Sequence, residues 1–313
     1  MTEHGHIPVM LAEALQYLAP RPGGVYVDCT LGAGGHAAGI AARLGPSGRL
    51  IGLDQDPAAL QAAGERLRGL PPRVDFARAN FSRLGAVLAE LGAGPVDGLL
   101  ADFGMSSMQM DDAARGFSFA AEGPLDMRMD PSQELTAAQV VNQFGERELA
   151  DLIFQYGEER RSRRIARAIV RSRPLRTTTQ LAGVIAAVTR PMSRAGRSPR
   201  SRGPHPATRA FQALRIFVNQ ELEHIAAWLA QAPAWLAEGG RVVTIAFHSL
   251  EDRPVKQNFQ ALARQGVYQI LTPRVVRPAP DEVAANPRAR SARLRACRRL
   301  AARPAGPEAR EAA

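Results

Sequence analysis

Between residues 25 and 102 short apolar runs alternate with polar, helix-forming stretches, and each run that reads as a strand closes on a polar residue. Val25-Tyr26-Val27 suits a buried strand and runs into Asp28. Arg49 to Leu53 runs into Asp54, Val74 to Ala79 alternates and runs into Asn80, and Val96 to Ala101 runs into Asp102. In between, Ala37 to Leu44 is alanine-rich and stopped by Gly45-Pro46, and Asp56-Pro57 opens another helix with proline where a first turn tolerates it. Strands alternating with helices predict right-handed βαβ units and a doubly wound α/β sheet. That arrangement places Asp28, Asp54 and Asp102 at one edge, outside the carboxyl ends of the strands, where such sheets bind ligands.

After Asp102 the alternation stops. Phe103 to Asp130 is rich in Gly, Met, Ser and Asp and too long for a simple connection, the kind of loop that is functional or disordered. Helical periodicity returns from Thr136, a predicted N-cap, to Val170, with Leu149, Ile153, Ile165 and Ile169 on buried faces. Thr208 to Leu236 reads as one long amphipathic helical region. Glu238-Gly239-Gly240 then turns into a fifth strand, Arg241 to Phe247, with His248-Ser249-Leu250-Glu251-Asp252 at its end. The tail from Leu271 is rich in proline and arginine, and Asn286 to Ser291 reads as surface. These shifts divide the chain into a sheet domain of residues 1–108 and 209–313 with a helical insertion at 109–208.

Composition narrows the classes. With 313 residues, 45% of them hydrophobic, there is material for a full α/β core. No stretch approaches the roughly 18 apolar residues of a membrane span, and Met1 to His6 lacks the layout of a signal peptide, so a cytoplasmic protein is expected. Cys29 and Cys297 lie too far apart in sequence to suggest a disulfide framework, and no metal site is expected. The net charge of +10 points to a polyanionic partner such as nucleic acid. Lys256 is the only lysine; codon bias accounts for arginine in place of lysine but not for the excess of positive charge. Two places concentrate it. Arg160, Arg161, Arg163, Arg164, Arg167, Arg171 and Arg173 make either a solvated helix face or an RNA-facing one, and Pro191 to Pro206 is a basic loop without an acid, suited to ordering on a partner.

The chemistry starts at Gly32-Ala33-Gly34-Gly35-His36-Ala37. It fits the dinucleotide fingerprint, with Asp54 near the distance at which an acid takes ribose hydroxyls, and by itself does not separate a dehydrogenase from a methyltransferase. Asp28 tilts the choice. An acid closing the strand just before the glycine turn suits a cationic or amino-bearing ligand and is unhelpful beside a pyrophosphate. S-adenosylmethionine carries a sulfonium and an ammonium, and its ribose would suit Asp54. Asn80-Phe81 could flank the adenine, or Phe81 could be a core aromatic. Asp102 sits where the transferred methyl should lie, or is a loop acid.

Longer strings are more specific. His6 to Leu11, Asp28 to His36, Asp102 to Gln109, Arg115 to Phe119, Gly123 to Asp130, Tyr156 to Arg160, His205 to Arg209, Phe247 to Arg253 and Asn286 to Ser291 occur in order along nearly the whole chain. In these the sequence resembles the bacterial small-subunit ribosomal RNA cytosine-N4 methyltransferases of the MraW type. The resemblance implies a class I, Rossmann-like methyltransferase sheet with an inserted helical, RNA-recognising domain. It also implies S-adenosyl-L-methionine as methyl donor and a cytidine of the decoding region as target. The partner implied is small-subunit ribosomal RNA within the 30S particle, with no membrane and with a homodimer left open. Carried over by motif, the cofactor contacts are Gly34, Gly35, His36, Asp54, Phe81, Asp102 and Gln109. The expected catalytic acceptor is Asp102, with a backbone carbonyl in 103–106 or His248 as rivals. The chain departs from the commonest pattern at Ala101-Asp102-Phe103-Gly104-Met105, where Leu-Asp-Leu-Gly-Val is usual, and keeps the acid. The competing readings are a nicotinamide-dependent oxidoreductase and a non-catalytic RNA-binding factor with a retained pocket. A DNA amino-methyltransferase is disfavoured, because the Asp/Asn-Pro-Pro-Tyr signature is missing.

Overall fold

A computed structural model of the chain describes residues 8–189 and 205–301. The basic loop expected at 191–206 lies outside the described residues except for His205 and Pro206, as do His6 and Ile7 of the opening motif. In chain order come α1 (Leu11–Leu18), β1 (Val25–Asp28), α2 (Gly35–Leu44), β2 (Arg49–Asp54), α3 (Pro57–Leu67), β3 (Arg73–Arg78), α4 (Leu84–Glu90) and β4 (Val96–Asp102). Next are α5 (Ser107–Asp111), α6 (Ala137–Gln143), α7 (Glu146–Gly157), α8 (Ser162–Arg171), α9 (Thr178–Thr189) and α10 (Thr208–Val218). The chain ends through α11 (Glu221–Trp235), β5 (Leu236–Ala246), α12 (Ser249–Arg264), β6 (Tyr268–Ile270), α13 (Pro280–Ala285) and β7 (Arg293–Arg299).

All strands join one seven-stranded sheet in the order β3-β2-β1-β4-β5-β7-β6, with β7 antiparallel to both of its neighbours and the other pairs parallel. Strand order reverses at β1, which lies between β2 and β4 and so opens the crevice expected of a doubly wound sheet. Both faces are covered, and the period-two alternation sorts residues between them. Val27, Ile51, Leu99, Val242 and Cys297 join Leu84, Leu88, Trp228 and Phe259 in one core. Their neighbours Tyr26, Leu50, Leu100, Val243 and Ala296 join Met10, Leu15, Ile40 and Leu44 in the other.

The chain divides into two compact units, residues 1–104 with 222–313 and residues 105–221. The boundaries expected at 108/109 and 208/209 therefore move, and residues 209–221 go with the helices. The helical region expected from Thr208 to Leu236 is made of two helices, with Gln220 at a left-handed φ of 48° between α10 and α11. Phe211 and Leu214 of α10 lie buried with Leu149 and Ile153 of α7 in a separate helical core. In that unit Thr136 caps α6 in a reciprocal box with Gln139, as the sequence indicates. The stretch 105–130 is held by polar groups of the helical unit. Arg115 donates to the carbonyls of Arg128 and Met129 at 3.0 Å each, and Asn219 bridges Met127 and Met129 at 2.7 Å on each side.

The tail holds what the sequence did not indicate: Asn286 to Ser291 is mostly exposed, as expected, but β7 after it is inserted between β5 and β6 with Leu294, Ala296 and Cys297 fully buried. The glycine turn expected at Glu238 to Gly240 also lies inside β5. Pairing there jumps from Val96 opposite Leu236 to Gly98 opposite Arg241, an irregularity that Gly239 at φ 77° accommodates. Leu294→Ala should lower unfolding free energy by about 2–5 kcal/mol, the usual penalty for a buried leucine. Urea unfolding followed by tryptophan fluorescence reads this in the sheet unit, which holds Trp228 and Trp235; a change within error would contradict the burial of β7.

Candidate active site

The parallel register sets the site's shape. Asp28 stands opposite Gly52 of β2 and Leu100 of β4, so Asp54 and Asp102 project two residues beyond it on either side. The three carboxylates form a step with Asp28 as its floor. Asp28 is buried; its Oδ1 accepts the Thr30 N–H at 3.2 Å, and its Oδ2 is sealed from solvent with no hydrogen-bond partner. Asp54 accepts from Gly32 N–H at 2.8 Å and Asp56 N–H at 2.9 Å. The Asp102 N–H donates to Thr30 Oγ1 at 2.7 Å, while Oδ1 is buried without a partner and Oδ2 lies 3.9 Å from His36 Nδ1.

Burial governs their protonation. It pushes Asp28 up to about 7, helped by the charge of Asp54 and opposed by the backbone donors Thr30 and Ala37. Asp54 rises to about 6, again chiefly through burial, with the N–H groups of Asp56 and Gly32 opposing. Asp102 is raised well above the ordinary range by burial, then by Asp28 and Glu251. Three acids that resist ionisation at one edge make a place where a cation gains more than water could give it.

The glycine turn is shaped by protein neighbours. Gly34 caps α2 with φ 75°, and Gly35 begins the helix against Pro8, whose Cγ would stand 2.5 Å from an added Cβ. His36 Nε2 lies 2.9 Å from the Val9 carbonyl, which places a proton there and turns Nδ1 toward Asp102. Pro8 to Met10 is thus a strap over the turn; its far end is fixed where Met10, at φ 52°, donates its N–H to Glu282 at 2.6 Å.

Gly34, Gly35, His36, Asp54 and Asp102 therefore come together around Asp28. Phe81 is half-buried beside them at the end of β3, its ring 5.7 Å from that of Phe103 and 6.3 Å from that of His224. Asn80 caps the following turn and donates to Gln55 at 2.9 Å. Gln109 belongs to the helical unit, where its side-chain oxygen accepts the Ser106 N–H at 3.0 Å in a capping box. His248 is the N-cap of α12: its Nδ1 takes the Glu251 N–H at 3.3 Å, which engages the lone pair a general base would use. Glu251, fully buried, was not singled out by the sequence. It lies 2.9 Å from His248 Nε2, accepts the Phe247 N–H at 2.7 Å and raises the pKa of Asp102. Its position three residues after a polar cap was the available signal. Among the described residues no group of three or more His, Cys, Asp or Glu could hold a metal ion.

The raised acids carry a stability signature. Asp28 and Asp54 bind protons more tightly folded than unfolded, so their contribution is complete below the ordinary carboxylate pKa and is lost as pH climbs through about 6 to 7. The urea midpoint of the ligand-free chain should fall between about pH 5 and about pH 8. Asp28→Asn should flatten the fall, and a wild-type midpoint that rises across that window would contradict the assignment.

The chain resembles known proteins along nearly its whole length. The sequence model of the MraW methylase family matches residues 3–300. The chain is 53% identical over 303 residues to ribosomal RNA small subunit methyltransferase H of Acidobacterium capsulatum, covering 95% of this chain and 99% of that protein. It is 51% identical over 304 residues to the protein of the same name from Koribacter versatilis, covering 95% of each. Among solved structures, an rRNA methylase from Streptococcus thermophilus aligns with a TM-score of 0.46 at 11% identity, over 95% of this chain and all of that one. With its family pattern matched from residue 3 to residue 300 and about half of its residues shared with full-length relatives, the chain belongs to the MraW methylase family, whose methyl donor is S-adenosylmethionine.

Proposed function

We propose that this chain methylates small-subunit ribosomal RNA, at the exocyclic N4 amine of a cytidine in the decoding region, with the 30S particle as the form in which the RNA is met and the cytoplasm as the place. The substrate class rests on the relatives, which bear the name ribosomal RNA small subunit methyltransferase H at about half identity over nearly their full lengths. The cytidine and its N4 rest on the sequence motifs and on an acid suited to take an amine proton. The observation that carries the reading is the pair of buried, partnerless oxygens, Asp28 Oδ2 and Asp102 Oδ1, at one sheet edge. They fit a ligand with two positive groups and would repel a pyrophosphate, which sets the nicotinamide reading aside.

The residues that would hold the donor in the sheet unit are Gly34, Gly35 and His36 at the turn, Asp54 for hydroxyls, Phe81 for an aromatic face and Asp102 at the reacting end. When bound, S-adenosylmethionine supplies an electrophilic methyl group on sulfur. A cytosine amine is a weak nucleophile because its lone pair is delocalised into the ring, so placement dominates and the base must leave its stack. The amine nitrogen must lose a proton as it gains the methyl. Asp102 Oδ1 is the acceptor: its raised pKa makes it a stronger base than an ordinary carboxylate, and no hydrogen bond competes for that oxygen. His248 holds α12 instead. No helix among the described residues is long and apolar enough to cross a membrane.

Asp102→Asn should lower turnover by about 10²-fold or more, the range removed with a positioned base, while leaving the unfolding midpoint at or above that of the wild type because one repelling charge is gone. Tritiated methyl transfer to 30S particles, with nucleoside analysis of the product, measures it. Undiminished transfer would remove Asp102 from the chemistry, and methyl on any atom but cytidine N4 would overturn the substrate assignment.

A further inference from the structure

The motif Asn286 to Ser291 has no part in the chemistry above, yet the fold carries it to the same sheet edge. Because β7 runs antiparallel to β5, its amino end lies beside the carboxyl end of β5. Asp102 pairs with Ile245 and Ile245 with Leu294, so these three share one row, and Arg293, opposite Ala246, is one residue further toward the ligand edge. Two strand spacings put its backbone about 10 Å from that of Asp102 along the row. This is comparable with the span of a nucleotide from base to phosphate.

The preceding turn is built to present arginine. Asn286 caps it by accepting the Arg288 N–H at 3.3 Å, and Ala289 and Ala292 are fully buried anchors. Between the anchors Arg290 is exposed. On the strand, Arg293 and Arg295 share the face opposite buried Leu294. Arg295 is neutralised by Asp252, at 2.6 and 3.0 Å, which ties β7 to the first turn of α12. Arg293 differs. Its Nη1 is buried with no acceptor, an arrangement that proteins avoid unless a partner completes it. Glu251 is engaged with His248 and the backbone, and Glu282 with Met10. Asp281 is exposed on α13.

We propose that Arg290 and Arg293 form a phosphodiester-binding site for the substrate strand, gripping the backbone beside the nucleotide whose base enters at Asp102. A guanidinium fork matches phosphate oxygens in geometry and charge, and a phosphate would give Arg293 Nη1 its acceptor. The positive end of the 16-residue helix α12, next to this strand end, adds to the attraction. The site rests on the reading of the chain as an RNA methyltransferase and names where that enzyme holds its substrate.

The test measures binding of a labelled, cytidine-containing single-stranded RNA by anisotropy across a salt series, S-adenosylmethionine binding by calorimetry, and methyl transfer to 30S particles. Arg290→Ala combined with Arg293→Gln should weaken RNA binding about tenfold and lower the salt slope by about 0.7 for each phosphate no longer neutralised, with cofactor affinity unchanged. Arg290→Glu, at an exposed position, gives the same direction if Arg293→Gln harms folding. Variants that bind RNA with wild-type affinity and slope would overturn the site while leaving the methyltransferase reading intact. Loss of methyl transfer to 30S particles without loss of RNA binding would assign the arginines to a protein partner and also overturn it. A wild-type chain that neither binds RNA nor methylates 30S particles would bring down both.

Discussion

Three carboxylates gathered at one sheet edge, Asp28 buried and Asp54 and Asp102 half-buried, are the constraint around which the fold is arranged. Removing a carboxylate from water is costly unless donors or cations replace the lost hydration. The backbone supplies some of the replacement: Thr30 serves Asp28, while Gly32 and Asp56 serve Asp54. It stops short for one oxygen of Asp28 and one of Asp102. A sheet can hold this unrelieved charge because both of its faces are packed, so the strand ends cannot drift apart to let water between them. Under the proposed function the cation that relieves it is the methyl donor itself, and its binding would be coupled to the ionisation of the acids.

The surrounding devices keep the edge in register. The Pro8 to Met10 strap fixes the His36 ring through Val9 and makes a side chain at Gly35 intolerable. On the far side the His248–Glu251 box starts α12, and Arg295 clamps that helix to β7. Glu251 and His248 thus act as structure close to chemistry, and their effect on Asp102 is electrostatic. The result is an acid whose surroundings favour holding a proton.

Much of this was legible in the chain. Strands β1, β2 and β4 announce themselves because apolar runs and terminal acids are local patterns, and parallel topology then brings those acids together without further information. What escaped was non-local or locally ambiguous. The run Arg293 to Arg299 hides a buried strand because arginine flanks Leu294 and Ala296, and only the facing β5 reveals which residues are inside. The break between α10 and α11 falls on Asn219-Gln220, with neither glycine nor proline to mark it. The need for glycine at 35 comes from Pro8, and a ligand-based reading of the motif attributes it to the wrong neighbour. Glu251 was overlooked because its three-residue spacing from His248 looks like ordinary helix capping, which it also is.

Under the proposed function the carboxylate edge takes up a cation at the expense of protons. Calorimetric titration of S-adenosylmethionine at about pH 6.5, repeated in buffers of different ionisation enthalpy, measures it directly, since burial pushes Asp28 up to about 7 and Asp54 up to about 6. Net proton release on binding, reduced in Asp28→Asn, is the predicted result. Binding with no proton exchange, or with uptake, would contradict the account.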